Sequence, residues 1–297
     1  MNLVILGTGA LARLCYSRFH EDQPLMIGRH FGPFQLVDQN GQSAVYDPRW
    51  MRWEDPMPWR PDIVLVAVKW PAMTLVATWL QHWAGDALVV SLLNGMGQEN
   101  ALIGPVQPHQ LSLASTMDAI SRQDRPQEQL WQATVTHRGE TYLTETGHPS
   151  ETLLRARVRA WHLPWTWENP GAMQKRRWSK LIANSVINPL TALAGRTNGE
   201  ILNTPLWHLA RPLVDEAETV ARYAGVEIRQ SLDAIEKLAQ ATSNNRSSML
   251  QDVLGHHPTE IDAITGYLLS QARDCGITIP THQAVYTLIQ QISVPSD

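Results

Sequence analysis

Three polar side chains recur every four residues in an otherwise apolar segment of the chain. Lys180, Asn184 and Asn188 lie among Leu, Ile, Val and Ala residues, so a helix would place all three on one face. An amide left unpaired in a core costs about 1–3 kcal/mol, so this face must meet polar partners, either water or a bound polar molecule. Because a lysine ammonium can release its proton and an arginine cannot, the stripe is suited to proton transfer.

Lysine is scarce in this sequence, which narrows the choice of proton donor. Only Lys69, Lys175, Lys180 and Lys237 occur, and arginine supplies the remaining positive charge. Lys69 follows the apolar run 63–68, at the carboxyl edge where open α/β sheets bind ligands. The alternative for Lys69 is a solvated side chain that closes a strand.

A glycine-rich hexamer follows the first apolar run. The residues Gly7, Thr8, Gly9, Ala10, Leu11 and Ala12 match G-x-G-x-x-G/A between a predicted strand over 2–6 and a predicted helix over 10–20. In such a motif the first glycine allows a tight turn, the second admits a pyrophosphate, and the third small residue lets the helix pack on the strand. The helix amino terminus then attracts the anion. The motif predicts a dinucleotide site.

The residue after the second predicted strand indicates which dinucleotide is bound. NAD sites usually place a carboxylate there for the ribose 2′-hydroxyl, whereas this chain has Arg29. A guanidinium can bind phosphate with two hydrogen bonds, so Arg29 favours the 2′-phosphate of NADP. The alternative is a solvated surface arginine.

The order of elements predicts the fold class. Strands and helices alternate through roughly the first hundred residues, and the pattern after residue 171 is almost entirely helical. We therefore predict an α/β chain with an N-terminal Rossmann-type doubly wound sheet and an all-α C-terminal domain. A cluster of Pro, Trp, Asn and Gly over 164–171 places the boundary, giving an NADP-binding domain over 1–168 and a helical substrate and catalytic domain over 169–297.

Composition excludes several classes of protein. The chain has 297 residues, is 43% hydrophobic and carries a formal net charge of −4, which disfavours disorder and nucleic-acid binding. Two cysteines cannot form a disulfide framework, so a reducing, cytoplasmic compartment is expected. No leader peptide and no apolar run of roughly 20 residues is found, so no membrane insertion is predicted. His256 and His257 lack a positioned third ligand, so no metal site is predicted.

Further polar residues complete the candidate set, each with an ordinary alternative. Asn94 begins an Asn-Gly-Met-Gly segment that either touches the cofactor at the sheet edge or forms a simple turn. Ser248 could simply cap a helix, and Glu260 could complement a helix dipole.

With these residues assembled, the chain resembles the ketopantoate reductase (2-dehydropantoate 2-reductase) family over nearly its whole length. The resemblance rests on the segments GTGALA at 7–12, VK at 68–69, NGMG at 94–97, KLIANSVINPLTAL at 180–193, NGE at 198–200, SSMLQD at 247–252 and TEID at 259–262.

The resemblance implies an NADPH-dependent reduction of 2-dehydropantoate to (R)-pantoate in pantothenate and coenzyme A biosynthesis, in a cleft between the two domains. By that resemblance Lys180 is the general acid and Glu260 a catalytic partner near the nicotinamide that could hold Lys180. The implied substrate-binding residues are Lys180, Asn184, Asn188, Asn198 and Ser248. The implied cofactor-binding residues are the hexamer, Arg29, Lys69, Asn94, Ile120 and Glu260.

Departures from the family pattern leave the substrate open. Ala12 replaces the third glycine. The stretch 115–120 matches the family less well and contains the acidic residue Asp118. Alternatives are an NADPH-dependent reductase of another small 2-oxo acid, or a non-catalytic NADP-binding sensor. The sensor is disfavoured because the polar stripe is intact. We expect a monomer or a homodimer acting on a small 2-oxo acid, with no nucleic-acid or membrane partner.

Overall fold

The computed structural model describes residues 1–29, 32–125, 131–229 and 232–293. Internal packing divides the chain into two compact units. The first comprises Met1–Leu93 and Gln98–Met173, and the second comprises Asn94–Gly97 and Gln174–Asp297. The short segment Asn94–Gly97 therefore packs with the second unit although its neighbours in sequence belong to the first.

The first unit contains two sheets. Its strands are β1 (Leu3–Leu6), β2 (Leu25–Ile27), β3 (Phe34–Val37), β4 (Ser43–Tyr46), β5 (Arg49–Met51), β6 (Ile63–Val66), β7 (Leu88–Ser91), β8 (Leu111–Thr116), β9 (Ala119–Arg122), β10 (Gln132–His137), β11 (Thr141–Thr144) and β12 (Trp165–Glu168). The main, eight-stranded sheet has the order β12-β11-β8-β7-β6-β1-β2-β5. The strands from β5 to β8 in this order all pair in parallel. β2 and β5 lie on one side of β1, and β6, β7 and β8 lie on the other, as in doubly wound folds.

The central strands are apolar on both faces because both faces are covered. In β1, Leu3 and Ile5 enter one core while Val4 and Leu6 enter another. The helices of this unit are α1 (Ala10–Phe19), α2 (Met73–Trp83), α3 (Gln98–Leu102) and α4 (Pro149–Ala160). The predicted Rossmann-type sheet is confirmed.

A separate four-stranded sheet, with the order β4-β3-β10-β9, lies beside α1. Arg13 of α1 is 1% exposed and pairs with Asp124, which follows β9, at 2.6 Å. Burial alone would raise the pKa of Asp124, but the hydrogen bonds and charges of Arg13 and Arg122 outweigh it and lower that pKa. The buried arginine is thus compensated by a carboxylate that stays ionised.

A second ion pair accounts for Asp118. Its carboxylate accepts hydrogen bonds from Arg18 of α1 at 2.6 and 2.8 Å, from the Thr116 hydroxyl at 2.9 Å and from the Gly139 backbone N–H at 3.0 Å. The Asp118 side chain is fully buried. The Asp118 carboxylate therefore holds α1 in place through Arg18.

The regular secondary structure of the second unit, over its described residues, is helical. Its helices are α5 (Pro170–Ala194), which enters the unit at Gln174, α6 (Ala210–Tyr223), α7 (Leu232–Ala241), α8 (Ser248–Leu254), α9 (Tyr267–Asp274) and α10 (Pro280–Ile292). A π-helix, Asp262–Gly266, leads directly into α9. Among the described helices, none is both long and apolar enough to cross a bilayer.

Several elements were not predicted. β5, β9 and β12 are strands of three or four residues, too short for a clear period-2 pattern. β12 lies within the segment 164–171 that suggested the domain boundary, and it pairs in parallel with β11. The π-helix lies in the region after residue 171 that the sequence predicts to be almost entirely helical.

A carboxylate on α6 holds the start of α10. Glu216, whose side chain is 14% exposed, accepts hydrogen bonds from the backbone N–H groups of Thr281 and His282 and from His282 Nδ1, at 2.8 to 2.9 Å. Burial acts to raise the pKa of Glu216, but these donors outweigh it and lower that pKa. The ionised carboxylate thus ties two helices together.

We expect this contact to make stability depend on pH. A carboxyl group whose pKa is lower in the folded state adds stability above its unfolded pKa, about 4.3, and loses that contribution as the pH falls through the lower, folded value. Glu216→Gln should reduce the free energy of unfolding by about 1–3 kcal/mol at pH 7. The difference from wild type should shrink below about pH 4.

Urea denaturation across this pH range measures the effect. Asp215→Asn, on the exposed face of the same helix, is the control and should leave both stability and its pH dependence unchanged. A Glu216→Gln difference that stayed constant down to pH 3 would contradict the assignment.

Candidate active site

The turn between β1 and α1 requires glycine for a definite reason. Gly7 has φ +122°, and a Cβ there would lie 2.4 Å from the carbonyl oxygen of Ala67. Gly9 precedes α1 in an extended conformation, with nothing within 4 Å of the position of its Cβ. Ala12 is fully buried. The turn therefore packs tightly on the sheet at Gly7 and leaves open space at Gly9.

The other predicted residues of the first unit are placed by the sheet. Arg29 follows β2 and Lys69 follows β6, and both are exposed. Because β1, β2 and β6 are parallel neighbours, their carboxyl ends bring the Gly7–Gly9 turn, Arg29 and Lys69 to the same edge. Ile120 lies elsewhere, in β9 of the four-stranded sheet, where it pairs with Val135.

The polar stripe lies on α5 as its spacing predicted. Lys180 and Asn184 are half-buried and Asn188 is 7% exposed, while the residues between them are buried. The helix continues past Pro189 to Ala194. The stripe thus lies in a partly enclosed environment.

Lys180 is held by a side chain from outside its own helix. Its Nζ donates a hydrogen bond to Asn94 Oδ1 at 2.8 Å, and Asn94 Nδ2 lies 3.4 Å from Glu260 Oε2. Glu260 is 7% exposed. The carboxylate can only accept, so it orients the Asn94 amide with its oxygen toward the ammonium. Asn94 therefore bridges the two residues that the resemblance paired.

The segment that carries Asn94 is fixed by its backbone. Gly95 has φ +80°, and a Cβ there would lie 2.5 Å from the Ala263 carbonyl oxygen. That same oxygen accepts a hydrogen bond from the Met96 N–H at 3.1 Å, and Met96 is buried in the helical core. Because Ala263 belongs to the π-helix, this helix sets the position of Asn94. π-helical turns are frequent at functional sites.

The remaining predicted residues, Asn198 and Ser248, lie on segments attached to this unit. Asn198 is half-buried, its Nδ2 donates to Thr242 Oγ1 at 3.0 Å, and its N–H donates to the Asn245 carbonyl at 2.9 Å. Ser248 is exposed at the first position of α8.

Ser247, not Ser248, caps α8, and sequence analysis missed this. The Ser247 hydroxyl accepts from the Leu250 N–H at 3.1 Å and bonds the Thr191 hydroxyl of α5 at 2.7 Å. Because the two serines are adjacent, the sequence does not indicate which of them caps the helix. The contact brings the start of α8 beside the turn of α5 that follows Asn188.

Comparisons with known proteins cover both units. A family model described as "Ketopantoate reductase PanE/ApbA" matches residues 3–148, and one described as "Ketopantoate reductase PanE/ApbA C terminal" matches 172–293. A 2-dehydropantoate 2-reductase of Yersinia pestis is 29% identical over 98% of this chain and 95% of its own length. One from Vibrio cholerae is 28% identical over 98% of each chain.

Solved structures show the same fold at lower identity. A PanE/ApbA family ketopantoate reductase from Ralstonia eutropha has a TM-score of 0.85 at 23% identity, covering 98% of each chain. A D-mandelate dehydrogenase with NADH and anilino(oxo)acetate has a TM-score of 0.86 at 18% identity, with the same coverage.

We expect the two glycines Gly7 and Gly104 to respond differently to alanine. Their φ angles are nearly equal, +122° and +118°, but nothing lies within 4 Å of a Cβ at Gly104. Both substitutions should cost about 1–3 kcal/mol for the backbone conformation. Gly7→Ala should cost about 1–3 kcal/mol more, because of the clash with Ala67. Chemical denaturation compares them, and equal losses would show that the packing of the turn is loose.

Proposed function

Because the chain belongs to the ketopantoate reductase family, we propose that it reduces 2-dehydropantoate to (R)-pantoate with NADPH, with Lys180 as the general acid. The observation that carries this proposal is the Lys180 ammonium, half-buried and held at 2.8 Å by Asn94. An ammonium held in this way already has a fixed position before the substrate binds.

The residues of the first unit suit a nicotinamide dinucleotide. Gly9 leaves open space beside the amino terminus of α1, whose first turn has no side-chain cap and no acidic residue. That arrangement accepts a pyrophosphate. Arg29, exposed after β2, suits the 2′-phosphate that distinguishes NADP. When bound, the reduced cofactor supplies a hydride to the carbonyl carbon.

Lys180 supplies the proton that completes the reduction. Negative charge develops on the carbonyl oxygen as the carbon is reduced, and the nearby ammonium stabilises that charge more as it grows. The Nζ proton then passes to the oxygen, giving the hydroxyl of the product. Asn94 Oδ1 accepts from Nζ in the charged and the neutral state alike, so Lys180 keeps its position through the transfer.

The other polar groups are suited to orient the substrate. Asn184 and Asn188 follow Lys180 on one face of α5, and Asn198 and Ser248 lie on segments packed in the same unit. Amides and a hydroxyl can bind the carboxylate, ketone and hydroxyl groups of 2-dehydropantoate. Their role is positioning, and Glu260 contributes by orienting Asn94.

Removing the ammonium should abolish most activity. We expect Lys180→Ala to lower kcat at least about a hundredfold, the lower range for positioned acid catalysis. The matched control is Lys175→Ala, an exposed lysine on the same helix, which should retain wild-type kcat. Steady-state NADPH oxidation with 2-dehydropantoate measures both, and near-normal turnover of the Lys180 variant would reject the assignment.

The same assay distinguishes the proposed substrate from its alternative. Lys180 could protonate the carbonyl oxygen of any small 2-oxo acid, so a panel of such acids should be compared by kcat/KM. The proposal requires 2-dehydropantoate to be the preferred member. A different preferred acid would retain the Lys180 chemistry and replace the substrate.

Arg29 should control the choice of cofactor. We expect Arg29→Ala to raise the KM for NADPH by about tenfold or more, since charge-assisted hydrogen bonds to phosphate are lost, and to change the KM for NADH little. Arg159→Ala, an exposed arginine on α4, is the control. Equal effects on the two cofactors would show that Arg29 does not bind the 2′-phosphate.

A further inference from the structure

Three side chains of types that can ligate a metal meet at the edge of the main sheet opposite the glycine turn. Asp86, His109 and His148 each offer one ligand atom, and these atoms all lie within 4.8 Å of one another. Asp86 precedes β7 and His109 precedes β8, whereas the Gly7 turn follows β1, and these strands are parallel. His148 follows β11, which is antiparallel to β8 and ends at the same edge.

His148 is the buried member of the group. It is 3% exposed, and its Nδ1 accepts a hydrogen bond from the Ser150 N–H at 3.2 Å. Among the described residues, its Nε2 has no hydrogen-bond partner and lies 3.7 Å from Asp86 Oδ1. That separation exceeds hydrogen-bond length, whereas two ligands of a tetrahedral zinc ion lie about 3.4 Å apart. The two atoms thus have nearly the spacing of ligands to one metal.

The second histidine has a suitable geometry as well. The rings of His109 and His148 are nearly parallel, with their centroids 5.9 Å apart. Two imidazoles that bind one metal at about 2.1 Å place their centroids about 5–6 Å apart. Asp86 and His109 are both exposed, so their side chains can adjust to complete the site.

The backbone around the three residues is already fixed. Gln110, next to His109, is buried, and its Nε2 donates to the carbonyl oxygens of Gly85 and Ala87 at 2.8 and 3.1 Å. These carbonyls flank Asp86, so one side chain ties the loop before β7 to the loop before β8. The Ser112 hydroxyl donates to the Thr144 carbonyl at 2.7 Å, which links β8 to the strand that leads to His148.

We propose that Asp86, His109 and His148 bind a divalent transition metal, with zinc as the best match. Two imidazoles and a carboxylate form a common zinc ligand set and leave a fourth position for water. The metal would connect the loops before β7 and β8 to the amino terminus of α4, and so stabilise the first unit without taking part in the reduction.

Binding has an identifiable cost at His148. Its Nδ1 accepts from Ser150, so the ring proton lies on Nε2, and a metal on Nε2 requires that proton to move to Nδ1. The cap of α4 is then given up, which lowers metal affinity by about fivefold. With only three protein ligands, two of them exposed, and this cost at His148, we expect a micromolar site, weaker than a dedicated four-ligand zinc centre.

The test uses the untagged full-length protein after treatment with a chelator. Zn²⁺ is titrated against a chromophoric competitor, and Co²⁺ serves as a spectroscopic probe of coordination. One equivalent should bind with a micromolar Kd. Asp86→Asn and His109→Gln, both at exposed positions, should each weaken binding at least about tenfold, since each removes a ligand. At the same concentration, Zn²⁺ should raise the Tm of wild type more than the Tm of either variant.

The control is the double variant His256→Gln/His257→Gln, an exposed histidine pair in the second unit that could bind metal adventitiously. It should bind Zn²⁺ as wild type does. The proposal is overturned if this control loses the tight equivalent, if the Asp86 and His109 variants retain it, or if wild type binds no tighter than about 100 µM, far weaker than the micromolar expectation.

Discussion

The hydrogen bond from the Lys180 ammonium to Asn94 is the interaction on which the candidate site depends. A lysine side chain has a flexible four-carbon stem, so a partner outside its own helix is needed to fix the position of the ammonium. Asn94 performs this role because Glu260 orients its amide. The three residues are a chain of acceptor, amide and donor in which each group determines the direction of the next. Loss of Asn94 would remove the hydrogen bond that fixes the ammonium at this position.

Backbone geometry makes that chain possible. Asn94 is followed by Gly95, whose positive φ and close approach to Ala263 exclude any larger residue without rearrangement. The π-helix at this point presents the Ala263 carbonyl to the Met96 N–H. At the other candidate site, Gly7 is held against Ala67 in the same way. In both places a glycine allows main chain to pack directly on main chain, which positions neighbouring groups more rigidly than side-chain contacts do.

Two buried ion pairs hold α1 in the first unit. Arg13 and Arg18 leave the same helix and meet Asp124 and Asp118 in buried pairs, so α1 is held by ionic contacts as well as by its apolar face. Breaking one member of such a pair would leave an uncompensated buried charge, which is far more costly than the pair is stabilising. Buried carboxylates near a predicted cofactor site are therefore structural here. His148 Nε2, at the opposite edge of the sheet, differs: among the described residues it has no hydrogen-bond partner, and it lies 3.7 Å from Asp86 Oδ1.

The sequence by itself determined the glycine turn, the alternation of strands and helices in the first hundred residues, and the spacing of Lys180, Asn184 and Asn188. Each of these depends on local periodicity or on residues adjacent in the chain. The resemblance added Asn198 and gave Glu260 and Ser248 their expected roles. Only the tertiary structure decided that Asn94 packs with the helical unit and contacts Lys180, that Ser247 rather than Ser248 caps α8, and that Asp86, His109 and His148 converge. Those contacts join residues far apart in sequence, and no local pattern encodes which distant loops a fold brings together.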